Sequence, residues 1–171
     1  MPLLLRHLEM DPWQIHIFAP EGDPEGIARK YGAICERTTL DPDNYKTVLM
    51  PHLNKGDFLL NLSVNVSSLA LLELCWEREA HYVDTCIEPW EGGYTDPALS
   101  PSQRSNYALR EKALELSRDK HKGPTAVISQ GANPGLVSAF VKQGLMDIAR
   151  DSELNIARPE TREGWGKLAQ Q

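Results

Sequence analysis

The sequence predicts an α/β domain built on a parallel sheet, and three observations lead there. Short β-rich runs alternate with helix-forming segments along most of the 171 residues, the pattern of strands joined by crossover helices. Asp23-Pro24, Asp41-Pro42 and Asn133-Pro134 repeat one signal, a short polar side chain that can cap a helix followed by proline in its first turn. No internal repeat or low-complexity tract interrupts the alternation.

Leu3–Leu8 reads as the latter part of a helix, and Gln14–Phe18 as a strand closed by Ala19-Pro20. Asp23-Pro24 opens a helix that Gly32 stops, since glycine takes the left-handed backbone of a helix end without a steric cost. Ala33–Thr39 is the next strand. Asp41-Pro42 then opens a helix carrying Tyr45, Val48 and Leu49, which Pro51 ends. Asp57–Val64 contains a compact apolar run, as expected for a strand covered on both faces. Ser67 caps the following helix, where Leu69, Leu72, Cys75 and Trp76 form one apolar stripe.

His81–Thr85 is a further strand. Cys86–Gln103, with three prolines and Gly92-Gly93, is a long connection of the kind that often carries function. Ser105–Lys120 has helix-forming composition, and Pro124–Ser129 is strand-like. Asn133-Pro134 opens a helix to about Arg150. From Asp151 periodicity is lost, which predicts a fraying tail or the start of a further region.

Composition narrows the function classes. A chain with 41% hydrophobic and 25% charged residues can bury the core of one domain. Its net charge of −6, from 18 Lys and Arg against 24 Asp and Glu, argues against nucleic acid as a partner. The longest apolar runs, Pro2–Leu5 and Leu69–Leu72, fall short of the roughly 20 residues that span a bilayer, so no membrane partner is expected. No small-residue cleavage site follows the first run. Cys35, Cys75 and Cys86 are odd in number and lack C-x-x-C spacing, so neither a disulfide framework nor a metal site is expected. A reducing cytoplasm suits them.

Doubly wound parallel sheets bind ligands where loops leave the carboxyl ends of their strands. Three such loops follow from the element order, Leu62–Ser67, Thr85–Gly93 and Gln130–Gly135. A dinucleotide domain normally begins with a strand and a G-x-G-x-x-G turn; the 171 residues contain no such turn. The expected fold is therefore a partial Rossmann-type doubly wound sheet lacking the first strand and the glycine-rich turn. In the order 3-2-1-4-5-6 that strand lies in the interior, so two interior edges should be unpaired. At the end of the Gln14–Phe18 strand, where an acid commonly holds a ribose, Glu21 and Asp23 are available; each is equally a loop acid or a helix cap.

Asp84, Glu88, Glu91 and Asp96 fall in a segment without Lys or Arg, beside Trp90 and Tyr94. Carboxylates and aromatic faces both attract an ammonium group, and a small diamine satisfies both. A solvated acidic loop with Trp90 anchored in the core is the plainer alternative.

The segment DTCIEPWEGGYTDPALSPSQRSNYALRE, Asp84 to Glu111, closely resembles homospermidine synthase, a saccharopine dehydrogenase-like family. GANPGLVSAFVKQGLMDIA from Gly131 and NLSVNVSSLALLELC from Asn61 agree with it in order and spacing. The resemblance implies NAD as cofactor and putrescine or a related diamine as substrate. One putrescine amine is oxidised to an imine, ammonia leaves, a second putrescine attacks, and the new imine is reduced. It further implies Glu88 as the catalytic carboxylate at the substrate amine and Asn133 as a catalytic residue between nicotinamide and substrate. On the same resemblance Trp90 and Glu91 are expected to join Glu88 in substrate binding, and Ser63, Val64, Asn65, Thr85, Cys86, Ala132 and Asn133 to line the cofactor.

The family commonly places Asp where Asn65 stands. Cys86 reads as a packing residue, because no His lies near it in sequence. Asp84 reads as a strand-end structural acid. Family members continue into a catalytic and dimerisation region, so residues 1–151 are expected to form an incomplete NAD-binding domain. Residues 152–171 then make a tail or the start of that region, and the full-length protein is expected to be a homodimer. As a fragment, the chain alone should not turn over. A saccharopine dehydrogenase-like oxidoreductase and a non-catalytic partner-binding domain are the competing readings; basic carboxylate-binding residues in the pocket would favour the first.

Overall fold

The computed structural model describes residues 2–118 and 123–170. His121 and the last two residues of the expected Ser105–Lys120 helix lie outside them. Helix α1 (Pro2–His7) and a 3-10 turn (Pro12–Gln14) precede strand β1 (His16–Ala19), helix α2 (Ile27–Tyr31) and strand β2 (Ile34–Arg37). Helix α3 (Tyr45–Leu49) continues into a 3-10 turn (Met50–His52). Strand β3 (Phe58–Asn61), helix α4 (Ser68–Glu77), strand β4 (His81–Asp84), helix α5 (Asn106–Arg118), strand β5 (Ala126–Val127) and helix α6 (Leu136–Asp151) follow. Helix α7 (Arg162–Leu168) comes last.

Every strand pairing is parallel. β1 and β2 form one sheet, with His16 opposite Ile34 and Phe18 opposite Glu36. β3, β4 and β5 form a second in that order, with Asn61 opposite Asp84 and Val83 opposite Val127. The two sheets match positions 3-2 and 4-5-6 of a doubly wound sheet, with position 1 falling between β1 and β3. Among the described residues those two strands have no partner on their interior edges, as the sequence implies.

The core lies under the second sheet. Leu71, Leu74 and Cys75 of α4 pack with Ala80, Tyr82 and Val66, and Leu49 and Leu53 join from the α3 segment. Ser67 caps α4 as expected, its Oγ accepting from the Ala70 amide at 3.3 Å. The buried stripe of α4 is Ser68, Leu71, Leu74 and Cys75; Leu69, Leu72 and Trp76 are only partly covered. The β3 strand is not covered on both faces. Phe58 and Leu60, two residues apart and hence on one face, are 63% and 42% exposed, while Leu59 and Asn61 face the core side.

All three Asx-Pro signals mark turns that precede the helices rather than their first residues. α2 begins at Ile27 after Gly26, though Asp23 Oδ2 still accepts from the Arg29 amide at 3.0 Å. Asp41 Oδ1 accepts from the amides of Asp43 and Asn44, closing an Asx-turn before α3. The Asn133-Pro134 bond is cis, and α6 starts at Leu136 after Gly135, so Asn133 is not its N-cap. Beyond residue 151 the chain does not simply fray. Thr161 caps α7, and Leu168 is buried.

Candidate functional site

A polar ladder crosses the carboxyl end of the second sheet and sets its loops. Because Asn61 and Asp84 end neighbouring strands in register, one hydroxyl can join them. Asn61 Nδ2 donates to Tyr82 Oη at 3.2 Å, and Tyr82 Oη donates to Asp84 Oδ2 at 2.9 Å. On the β3 side, Asn61 Oδ1 accepts from the Ser63 amide at 3.1 Å and from its hydroxyl. Toward β5, Asp84 Oδ1 accepts from the Ser129 amide, and its carbonyl accepts from the Gln130 amide at 3.0 Å. Asp84 is fully buried and, with its acceptor atoms filled, holds structure, as the sequence suggests. Burial pushes the Tyr82 hydroxyl far above its ordinary titration range, so it stays a neutral donor at any working pH.

The residues expected to line a cofactor all lie in loops that leave this edge. Ser63, Val64 and Asn65 are exposed directly after β3, with Asn65 at φ 64°, a left-handed backbone that asparagine tolerates well. Thr85 and Cys86 follow β4, and Ala132 and Asn133 lie exposed after β5. The last two loops touch: a Cβ on Gly131 would stand 2.4 Å from the Thr85 carbonyl oxygen. Only glycine allows that approach.

Glu88 turns back from the same edge. Its amide donates to Ser68 Oγ at 3.0 Å, and its carbonyl accepts from the Ser68 amide at 2.9 Å, pinning the loop to the start of α4. Its carboxylate lies beside Cys86 and Tyr94. Burial first and the Glu88 charge second push the Cys86 thiol up, which fits a packing role and not a nucleophile. Burial and the same charge push the Tyr94 hydroxyl up to about 12, and that hydroxyl donates to the Ile87 carbonyl at 3.1 Å.

Next to this group is a cleft of about 570 Å³ lined by Trp90, Glu91, Tyr94, Asp96, Arg104 and Lys112 among others. Trp90 is half-buried, its ring 5.4 Å from that of Tyr45, so it is both core anchor and cleft wall. Glu91 is exposed at the rim. Glu88 and Asn133 are not among the lining residues; they lie in the loops that follow β4 and β5. Residue chemistry in Asp84–Asp96 misses three neighbours that come from further along the chain. Arg104 and Lys112 bring positive charge to the cleft, and Asn106 Nδ2 lies 3.8 Å from Cys86 Sγ. Arg104 and Asn106 do fall within the SPSQRSNYALRE stretch that carries the resemblance. Among the described residues, no three metal-ligating side chains converge at this edge.

A parallel α/β sheet whose acids, amides and hydroxyls gather at its carboxyl edge defines a Rossmann-type dinucleotide-binding domain. The chain belongs to the saccharopine dehydrogenase NADP-binding domain family, whose pattern matches residues 1–127. It is 44% identical over 172 aligned residues to homospermidine synthase of Blastochloris viridis, covering 99% of this chain and 36% of that protein. Against homospermidine synthase of Mesorhizobium japonicum the identity is 39% over 173 residues, 98% of this chain and 36% of that protein. The crystal structure of homospermidine synthase from Legionella pneumophila in complex with NAD superposes with a TM-score of 0.77 at 38% identity, over 98% of this chain and 34% of that one. The chain thus spans about a third of the length of these relatives.

Proposed function

We propose that this chain is the nucleotide-domain segment of a homospermidine synthase, which transfers an aminobutyl group between two putrescine molecules and releases ammonia. The observation that carries the reading is the junction of loops at one sheet edge: the acid-and-aromatic loop after β4 and the glycine loop after β5 touch at Thr85 and Gly131. NAD, when bound, supplies the hydride acceptor and donor. The residues here fit its nicotinamide and ribose side through Ser63, Val64, Asn65, Thr85, Cys86, Ala132 and Asn133. A G-x-G-x-x-G cradle for its pyrophosphate is not among the 171 residues.

Glu88 holds the substrate ammonium and moves a proton at the reacting nitrogen. Trp90 and Glu91 guide the diamine through the cleft, with aromatic face and carboxylate sharing the cation. With NAD bound, Asn133 would lie toward its nicotinamide and orient the substrate. Residues 1–151 form the incomplete nucleotide-binding domain, and 152–171 lead into the region that completes the site. In full length the enzyme is a cytoplasmic homodimer; the three free thiols suit that compartment.

Arg104 favours a second reading. Among the described residues its buried Nε has no hydrogen-bond partner, and with Lys112 it could hold a substrate carboxylate, as a saccharopine dehydrogenase-like oxidoreductase requires. The test is Glu88→Gln in the enzyme extended by the regions its relatives carry. Putrescine turnover should fall at least about 100-fold with NAD affinity unchanged within about twofold. Unchanged turnover removes the role of Glu88, and net NADH accumulation with an amino-acid-derived secondary amine selects the second reading.

A further inference from the structure

On one face of the β1–β2 sheet three side chains from separate segments converge. His16 begins β1, Glu36 lies on β2 opposite Phe18, and His52 ends the 3-10 turn Met50–His52. His16 and Phe18 share a face by strand alternation, and Glu36, paired with Phe18, shares it too. The His52 ring lies over them, 5.0 Å from the His16 ring and 5.2 Å from the Phe18 ring. Its Nε2 is 3.8 Å from Glu36 Oε1, and one donor atom from each of the three residues lies within 4.8 Å of the others.

From these contacts we infer a metal site for a borderline divalent cation, Zn²⁺ in the first instance, with His16, Glu36 and His52 as ligands and water in the fourth position. Tetrahedral zinc with bonds near 2.0–2.1 Å sets its donors about 3.3 Å apart. The His52–Glu36 pair is therefore about half an ångström from that spacing, and exposed side chains close such a gap by small torsional changes. Two imidazoles and one carboxylate suit zinc, cobalt or nickel better than magnesium or calcium, which take all-oxygen shells. Cys35 is no competitor. Alternation points it to the opposite face, since it pairs with Ile17 and not with Phe18.

The site has a mechanical consequence. His52 is followed by Leu53, a buried member of the core beneath the second sheet, so a bound ion ties the two-stranded sheet to that core. Nothing in the spacing 16, 36 and 52 announces the cluster, because it depends on the parallel register and on the turn that returns the chain over β1.

The 171-residue chain, stripped with a chelator, should bind one equivalent of Zn²⁺ with a micromolar Kd in competition with a chromophoric chelator. Saturation should raise Tm by about 5 °C. Removing even an outer-shell partner weakens metal sites 10–100-fold, so His16→Gln, His52→Gln and Glu36→Gln should each cost at least about tenfold, while His7→Gln changes nothing. Far-ultraviolet dichroism establishes that each variant is folded. Cobalt substitution should give ligand-field bands without a thiolate charge-transfer band. Three results overturn the site: no saturable binding below about 0.1 mM, binding that persists in the His16→Gln/His52→Gln double variant, or a thiolate band.

Discussion

The β1–β2 unit and the β3–β4–β5 unit use the same strand–helix–strand logic but bury very different amounts of surface. In the second, Leu74 and Ala80 are fully buried, and Leu71, Cys75, Tyr82 and Ile87 are at most 2% exposed. In the first, Ala28 is the one described residue between His16 and Arg37 that reaches the buried class. A helix of five residues over two strands of four each supplies little apolar area, and burial at roughly 25 cal/mol per Å² is what offsets chain entropy. The difference teaches that folding free energy is concentrated where the candidate site is built, and that the other unit gains its order from contacts made across to it.

The sharpest way to break this asymmetry is truncation in each core. Leu74→Ala should cost about 2–5 kcal/mol, read as the loss in urea-unfolding free energy. Ile17→Ala, at a half-buried strand position, should cost about 1 kcal/mol. Equal losses at the two sites would refute the unequal partition.

Tyr82→Phe probes the ladder that joins the strong unit to the site. The change removes the donor to Asp84 Oδ2 and the acceptor of Asn61 Nδ2, leaving buried polar atoms unmatched at about 1–3 kcal/mol. Ser129 is held by Asp84, so its amide should exchange with solvent faster in the variant. Stability loss without faster exchange would mean that the loops are set some other way.

Such features mark the limit of what the sequence discloses. The succession of strands and helices is legible because apolar runs and cap residues are local, and the two unpaired interior edges follow from topology alone. The ladder is not legible: it requires Asn61 to stand opposite Asp84, and register is a property of the folded sheet. The helix starts are not legible either, because Asp or Asn before Pro also builds Asx-turns. Asp41 does so here. Likewise Glu88, Trp90 and Glu91 stand out in one short segment, whereas Arg104 and Lys112 reach the same cleft only after the long connection folds back.

The three thiols sharpen the comparison without mutation. Burial pushes the Cys75 thiol up to about 12, so it is neither ionised nor accessible at neutral pH. Cys35 and Cys86 are only partly covered. A disulfide-exchange reagent at pH 8 should label these two at least about tenfold faster than Cys75, a gap of about 1.4 kcal/mol in opening free energy. Labelling of all three at one rate would indicate a single cooperative opening.

The smallest effect is expected at the start of α2. The Arg29 amide donates to the Asp23 carboxylate, and this backbone hydrogen bond is the main reason its pKa is lowered from 3.8. A depressed folded-state pKa means that the contribution is complete above the unfolded value and is lost as pH falls through the folded one. Asp23→Asn should therefore lower Tm slightly at pH 7, and that difference should shrink as the pH is taken below 3.8. Since the group is fully solvated, the decrement should also decline with added salt. A decrement independent of pH would assign the stabilisation to the shape of the turn and not to the charge that caps it.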